Sequence, residues 1–135
     1  PGVGRALQDL GAAIRYASGL SARVRELAIL LVAARWGCDF ERYAHEAVGR
    51  AVGLTDEELA GVREGRAPDG LGEQERAAIR VVQALLAGDV LDDEWAIAQR
   101  LLDNRTLVEL STLVGYYATL ALQLRVFRVA SPLNA

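Results

Sequence analysis

Four residues in one stretch of this chain carry side chains suited to proton or thiol chemistry: Glu26, Cys38, Glu41 and His45. They lie in RELAILLVAARWGCDFERYAHEAVGRAVGL, where Cys38 is the chain's only cysteine and His45 its only histidine, seven residues apart. Seven residues make two turns of α-helix, so a helix here presents both side chains on one face. Glu41 falls between them on the same stripe, and Glu26 comes twelve residues before Cys38, in an apolar segment. A thiol, an imidazole and two carboxylates drawn from one short region can do acid–base or thiol chemistry.

Cys38 follows Gly37, and this spacing predicts the thiol in the first turn of a helix, where free amides and the helix dipole stabilise a thiolate. Arg35 and Arg42 add positive potential nearby. A buried, inert cysteine fits the same position. His45 is the one group that titrates near neutrality without a large shift. That suits it to general acid or base catalysis or to holding a bound carboxylate; a histidine satisfied by a backbone or carboxylate partner is the structural alternative. Two helical turns rise about 10.5 Å, too far for direct contact with Cys38, so a relay between the two needs Glu41, a water or the substrate. Glu26 either pairs with Arg23 or Arg25, or packs beside Cys38 with its pKa raised by burial so that it shuttles protons. Glu41 is either a second acid–base carboxylate or a partner of His45 or a nearby Arg.

These side chains need helices to position them, and the pattern is helical from end to end. A first helix is expected over 5–17, with Leu7, Leu10, Ile14 and Tyr16 among its apolar positions. Ser21 is the candidate N-cap of a second helix over 23–36. Leu27 to Ala34 in that helix is apolar on all sides, which demands burial on every face. Gly37 breaks it, and Cys38 opens a third helix ending near Val52, with Gly53 as its stop signal. Thr55 and Glu58 form a T-x-x-E capping box for a short helix through Glu64. Residues 65–72, with Pro68, Asp69 and Gly70, read as a surface loop. Further helices are expected over 73–87, 92–102 and 106–129, with Pro132 preventing any extension of the last. GLTDEEL and VLDDEW are similar acidic helix starts, a weak sign of repetition. Strand-like alternation and hairpin turns nowhere coincide, so the architecture is all-α, a compact bundle of about seven helices.

The length of 135 residues fits a single domain, 1–135, with an ordinary core. Apolar residues make up 52% of it, which excludes a disordered chain. The net charge is −3, and Lys is absent, so there is no basic block and nucleic acid is not an expected partner. One cysteine cannot form an intramolecular disulfide, which excludes a disulfide-stapled secreted domain. No signal-peptide pattern opens the sequence, and the longest uncharged run, Leu110 to Leu124, is shorter than the roughly 18 residues of a membrane span. A cytoplasmic protein without membrane contact is expected. One His and one Cys with scattered carboxylates lack a zinc ligand set, and phosphate-loop and G-x-S-x-G patterns are missing. Neither a metal nor a cofactor is expected. Arg35, Trp36 and Arg42 flank the thiol and are the expected substrate-binding residues; Tyr16, Tyr43, Trp95, Tyr116 and Tyr117 are further candidates for pocket walls.

The order Glu26, Cys38, Glu41, His45 resembles the motif of the carboxymuconolactone decarboxylase and alkylhydroperoxidase-D-like superfamily, which runs Glu, eleven residues, Cys, two residues, Cys, three residues, His. The resemblance extends to RELAILLVAARWGC before the cysteine, GLTDEEL after the histidine and LVELSTLVGYYATL near the C-terminus. It covers roughly residues 20–130 and is closest over 25–60. Because the chain begins at Pro1 rather than Met, the family's N-terminal helical region is expected to be shortened by processing or trimming. In alkylhydroperoxidase-D-like enzymes the Glu matching Glu26 belongs to a proton relay with the His and the cysteines. This sequence departs from the motif where the second cysteine would stand: Glu41 occupies it. A thiol there would resolve a sulfenic acid at Cys38; a carboxylate cannot, so the dithiol peroxidase cycle is unavailable within one chain.

The resemblance implies an enzyme that decarboxylates or moves protons on a small carboxylic acid or lactone. In that reading His45 is the acid–base group, Glu26 and Glu41 assist, an Arg binds the carboxylate, and no cofactor takes part. A single-thiol oxidoreductase, with Cys38 attacking a hydroperoxide and an external thiol recovering it, is the alternative; a non-catalytic helical oligomer is a third. Two helices are apolar on more sides than one chain covers comfortably, so a homo-oligomer is expected, and the family resemblance implies a trimer or hexamer.

Overall fold

The computed structural model describes residues 1–130. Among these the chain forms seven α-helices and no strand: α1 (Gly2–Tyr16), α2 (Ala22–Trp36), α3 (Asp39–Ala51), α4 (Asp56–Arg63), α5 (Glu73–Ala87), α6 (Asp92–Leu101) and α7 (Asn104–Val126). The expected stop at Pro132 lies outside the described residues.

The bundle is built around α2, which packs against α3, α4, α5 and α7. Leu27, Ala28, Ile29 and Val32 are completely buried, and Leu30 and Leu31 nearly so. This is the outcome its unbroken apolar run requires: such a helix is stable only with neighbours on every side. Its ends are set locally. The Ser21 hydroxyl accepts from the Val24 amide, 3.2 Å. Gly37 ends the helix in the left-handed region at φ 62°, and the Cys38 amide reaches back to the Ala33 carbonyl, 2.9 Å. This is a Schellman closure, which a side chain at position 37 would strain.

Helices α4, α5 and α6 each carry at the third position a Glu whose carboxylate accepts from the amide at the cap: Glu58 from Thr55, Glu75 from Gly72 and Glu94 from Leu91. Only Thr55 adds the reciprocal bond, to the Glu58 amide, and completes the box. The similarity of GLTDEEL and VLDDEW is therefore shared cap chemistry. Helix α7 starts two residues before its expected position because Asp103 caps it, accepting from the Thr106 amide, 2.8 Å.

Two expectations need correction. The first is that two helices carry more apolar surface than one chain covers: the apolar run Leu27–Ala33 of α2 is buried within the chain, whereas α7 leaves Val108, Leu122 and Val126 exposed. The second concerns membrane-spanning length. Helix α7 has 23 residues and is long and apolar enough to cross a membrane, because it extends past the uncharged run at both ends. Its inner stripe, Leu110, Leu113, Tyr116, Tyr117 and Ala121, is buried in the chain, and the helix packs against α1, α2 and α5.

Leu27→Ala, which leaves a cavity at the centre of α2, is expected to cost about 2–5 kcal/mol in urea unfolding. Thr55→Ala, which removes one cap bond, should cost only about 1 kcal/mol; equal losses would contradict a core centred on α2.

Candidate active site

Helices α2, α3 and α7 bring Glu26, His45, Glu41 and Tyr117 together. Glu26 sits on the second turn of α2 and points into the bundle, with its side chain 2% exposed. Its Oε1 lies 2.7 Å from His45 Nδ1, and its Oε2 accepts from Arg25 Nε at 3.0 Å. The other ring nitrogen, Nε2, lies 3.2 Å from Glu41 Oε2, one turn earlier on α3. Tyr117 presents its ring edge-on to the imidazole at 5.5 Å between centroids, and Tyr116 packs perpendicular to Tyr117 at 4.8 Å. The imidazole is thus held on both nitrogens by carboxylates, an arrangement that only the doubly protonated ring satisfies with two donated bonds.

The electrostatics follow from this geometry. Burial alone would lower the His45 pKa, but the bonds to Glu26 and Glu41 outweigh it and push it up to about 9. Burial alone would raise that of Glu26, but the bonds from His45 and Arg25 prevail and hold it below the usual carboxylate range. The first outcome corrects the sequence reading, and the second selects the pairing alternative for Glu26. At neutral pH His45 is not poised between states but carries a proton, and Glu26 is an ionised anchor rather than a carboxyl raised for proton shuttling. Arg25, and not Arg23, pairs with Glu26; Arg23 binds Glu58 at 2.7 Å.

Cys38 stands apart from this cluster. It occupies the N-cap of α3, one residue before the expected first turn, and is buried. Burial is the largest influence and raises its pKa. The amides of Glu41 and Phe40 face the sulfur and work in the expected direction, while the Glu41 and Asp39 carboxylates oppose them. The expected low-pKa thiolate is not what this environment makes. Arg42 pairs with Asp39 at 3.2 Å. Arg35 lies 5.2 Å over the Trp36 ring and donates to the Leu86 carbonyl. Neither guanidinium is spent on the thiol.

Cys38 lines a pocket of about 100 Å³ with Leu30, Leu59, Arg42, Glu46 and Arg63. Glu46 is gripped there by Arg63 at 2.6 and 2.8 Å. On its other side Cys38 lines an open recess of about 310 Å³ with Trp36 and Arg125. Glu26, Glu41 and His45 line neither. The relay expected through Glu41 is therefore half present: its carboxylate reaches His45, and its amide faces Cys38. Tyr16, Tyr43 and Trp95 lie exposed on the surface. Among the described residues no group of His, Cys, Asp and Glu is arranged to hold a metal ion.

Two contributors carried no signal in the sequence. Arg25 Nη1 binds the Arg15 carbonyl at 2.9 Å, tying the end of α1 to the Glu26 anchor. Arg15 Nη1 in turn donates to the Tyr117 hydroxyl at 3.4 Å. The first contact joins consecutive helices and the second the first and last helices, and no local pattern marks either.

Because folding raises the His45 pKa, its contribution to stability is complete below about 6.5 and is lost as pH climbs through about 9. Glu26, lowered on folding, contributes above about 4.5 and loses that contribution as pH falls through its folded value. Urea unfolding across pH should therefore show wild-type stability declining between about 6.5 and 9. His45→Gln should be less stable and lack that decline; an identical alkaline profile in the variant would contradict the assignment.

The sequence pattern of the carboxymuconolactone decarboxylase family matches residues 1–84, a segment that contains Glu26, Cys38, Glu41 and His45. No curated protein matches the chain. Among solved structures, a protein of unknown function from Agrobacterium tumefaciens, described as a candidate antioxidant defence protein AhpD, superposes with a TM-score of 0.83. The two are 23% identical, over 96% of this chain and 90% of that one, and share the fold.

Proposed function

The chain belongs to the carboxymuconolactone decarboxylase family, and within it we propose an enzyme of acid–base chemistry, acting by decarboxylation or proton transfer on a small carboxylic acid or lactone. The observation that carries this reading is the imidazole of His45 held on both nitrogens, by Glu26 at 2.7 Å and by Glu41 at 3.2 Å. Such a ring is a proton store at neutral pH and serves as a general acid. When a carboxylate leaves as carbon dioxide, the bonding pair stays on the adjacent carbon, delocalised into a neighbouring carbonyl. His45 delivers its Nε2 proton to that carbon, and solvent replaces it. Glu26, buried and fixed by Arg25, keeps the ring oriented. Glu41 shares the Nε2 proton and withdraws as the substrate takes it. The His45 and Glu41 side chains remain 13% and 10% exposed, and a substrate would reach the ring through that contact with solvent.

A second reading rests on the place of Cys38 at the N-cap of α3, where the thiol lines two recesses. The thiol would cleave the O–O bond of a hydroperoxide, release an alcohol, become a sulfenic acid and be reduced by an external thiol. Its burial and raised pKa weigh against this. Assembly into a homo-oligomer through the open face of α7 belongs to the same proposal, with an assembly larger than a monomer expected in sedimentation at micromolar concentration.

The deciding experiment measures carbon dioxide release and solvent deuterium incorporation with oxaloacetate, acetoacetate and a γ-lactone carboxylate, beside hydroperoxide consumption with added dithiothreitol. His45→Gln should lower the first activity by about 10²–10⁴, and Cys38→Ser should leave it within a few-fold. Hydroperoxide turnover abolished in Cys38→Ser, without decarboxylation in any protein, would replace this reading by the second.

A further inference from the structure

We propose that Arg15, with the hydroxyls of Tyr116 and Tyr117, is the site that binds the carboxylate of a small organic acid beside His45; the assignment of that acid as substrate rests on the acid–base reading above.

The last turn of α1 meets the middle of α7 at one spot. Gly11 lets the Tyr116 hydroxyl approach the helix so closely that a Cβ at position 11 would lie 2.1 Å from its oxygen and 3.1 Å from Arg15 Nη1. Arg15 Nη1 also donates to the Tyr117 hydroxyl, and the Tyr117 ring is the one that stands edge-on to His45. A guanidinium, two phenol hydroxyls and the imidazolium are therefore joined through a single aromatic ring.

Charge accounting singles out Arg15 in this neighbourhood. Arg23, Arg25, Arg42, Arg50 and Arg63 each have a carboxylate partner. Arg15 has none among the described residues; the polar groups around it are the two neutral hydroxyls. A half-buried guanidinium held only by neutral dipoles lacks a counterion. Burial opposes its charge, yet the tyrosine hydroxyls secure it and raise its pKa, so it stays cationic. Among the described residues its Nε and Nη2 have no protein acceptor, and that edge of the guanidinium is the fork that grips a carboxylate with two parallel bonds. The guanidinium lies 5.7 Å over the exposed Tyr16 ring, a flat apolar wall that favours a planar or short unsaturated acid over a free inorganic anion. Of the arginines flanking the thiol, Arg42 is paired with Asp39, and Arg35 lies over Trp36 and donates its Nε to the Leu86 carbonyl.

The test uses calorimetric titration of the full chain at pH 7 with benzoate and with benzamide, its neutral counterpart. Saturable binding of benzoate but not benzamide is expected. Arg15→Gln should weaken it by about tenfold or more, and Arg15→Lys, which keeps the charge but loses the fork, by a smaller factor. Helicity by circular dichroism accompanies each variant. Equal affinity in wild type and both variants, equal binding of benzamide, or no saturable binding would overturn the site. Arg15-dependent binding in a protein that turns over none of the oxo acids would retain the site and remove the acid–base reading. Turnover with an unchanged KM in Arg15→Gln would do the reverse.

Discussion

Glu26 brings a negative charge into the second turn of the helix that forms the centre of the core, and a buried charge is tolerated only when it is paired and hydrogen-bonded. The arrangement around it follows from that requirement. Arg25 comes from the adjacent position and binds one oxygen; His45 comes across from α3 and binds the other. The packing of α3 on α2 is thereby fixed in register as well as in apolar contact. The proton on His45 needs a second acceptor once Nδ1 is committed, and Glu41 supplies it from the previous turn of the same helix. With Arg25 included, two anions and two cations balance within the cluster.

The same constraint separates the imidazole from the thiol. Both lie on α3, but His45 faces α2 and α7 through Glu26 and Tyr117, while Cys38 ends the Schellman turn between α2 and α3 and faces two recesses of its own. Family members with a second cysteine would place a sulfur where this chain has Glu41. Here that position carries a carboxylate bonded to His45, which converts a potential thiol partner into part of a charge cluster. The fold is common to this chain and its structural neighbour.

Much of the architecture was legible because it is written in local signals. The apolar run from Leu27 to Ala34, the Ser21 and Thr55 caps and the Gly37 and Gly53 stops each act within a few residues, and all five formed as expected. The meeting of Glu26, Glu41 and His45 was legible through the motif and the helical spacing of the last two. What escaped the sequence is what depends on tertiary environment. The sequence left two readings open for Glu26 and two for Cys38, and the choice turns on tertiary partners: His45 and Arg25 hold the carboxylate low, while an enclosing α2–α3 turn raises the thiol. Arg15 and Tyr117 belong to the first and last helices, and nothing short of the folded bundle shows that they are neighbours.

The central claim is that His45 is an imidazolium locked between two carboxylates, and a chain with a single histidine allows it to be read without ambiguity. Nitrogen-15 chemical shifts of the ring, followed from pH 5 to 10.5 in uniformly labelled protein, measure the protonation of each nitrogen directly. Both nitrogens should report N–H through neutral pH, with deprotonation centred near 9. A ring that titrates at or below the ordinary value of about 6.5, with one nitrogen bare at pH 7.5, would contradict the account.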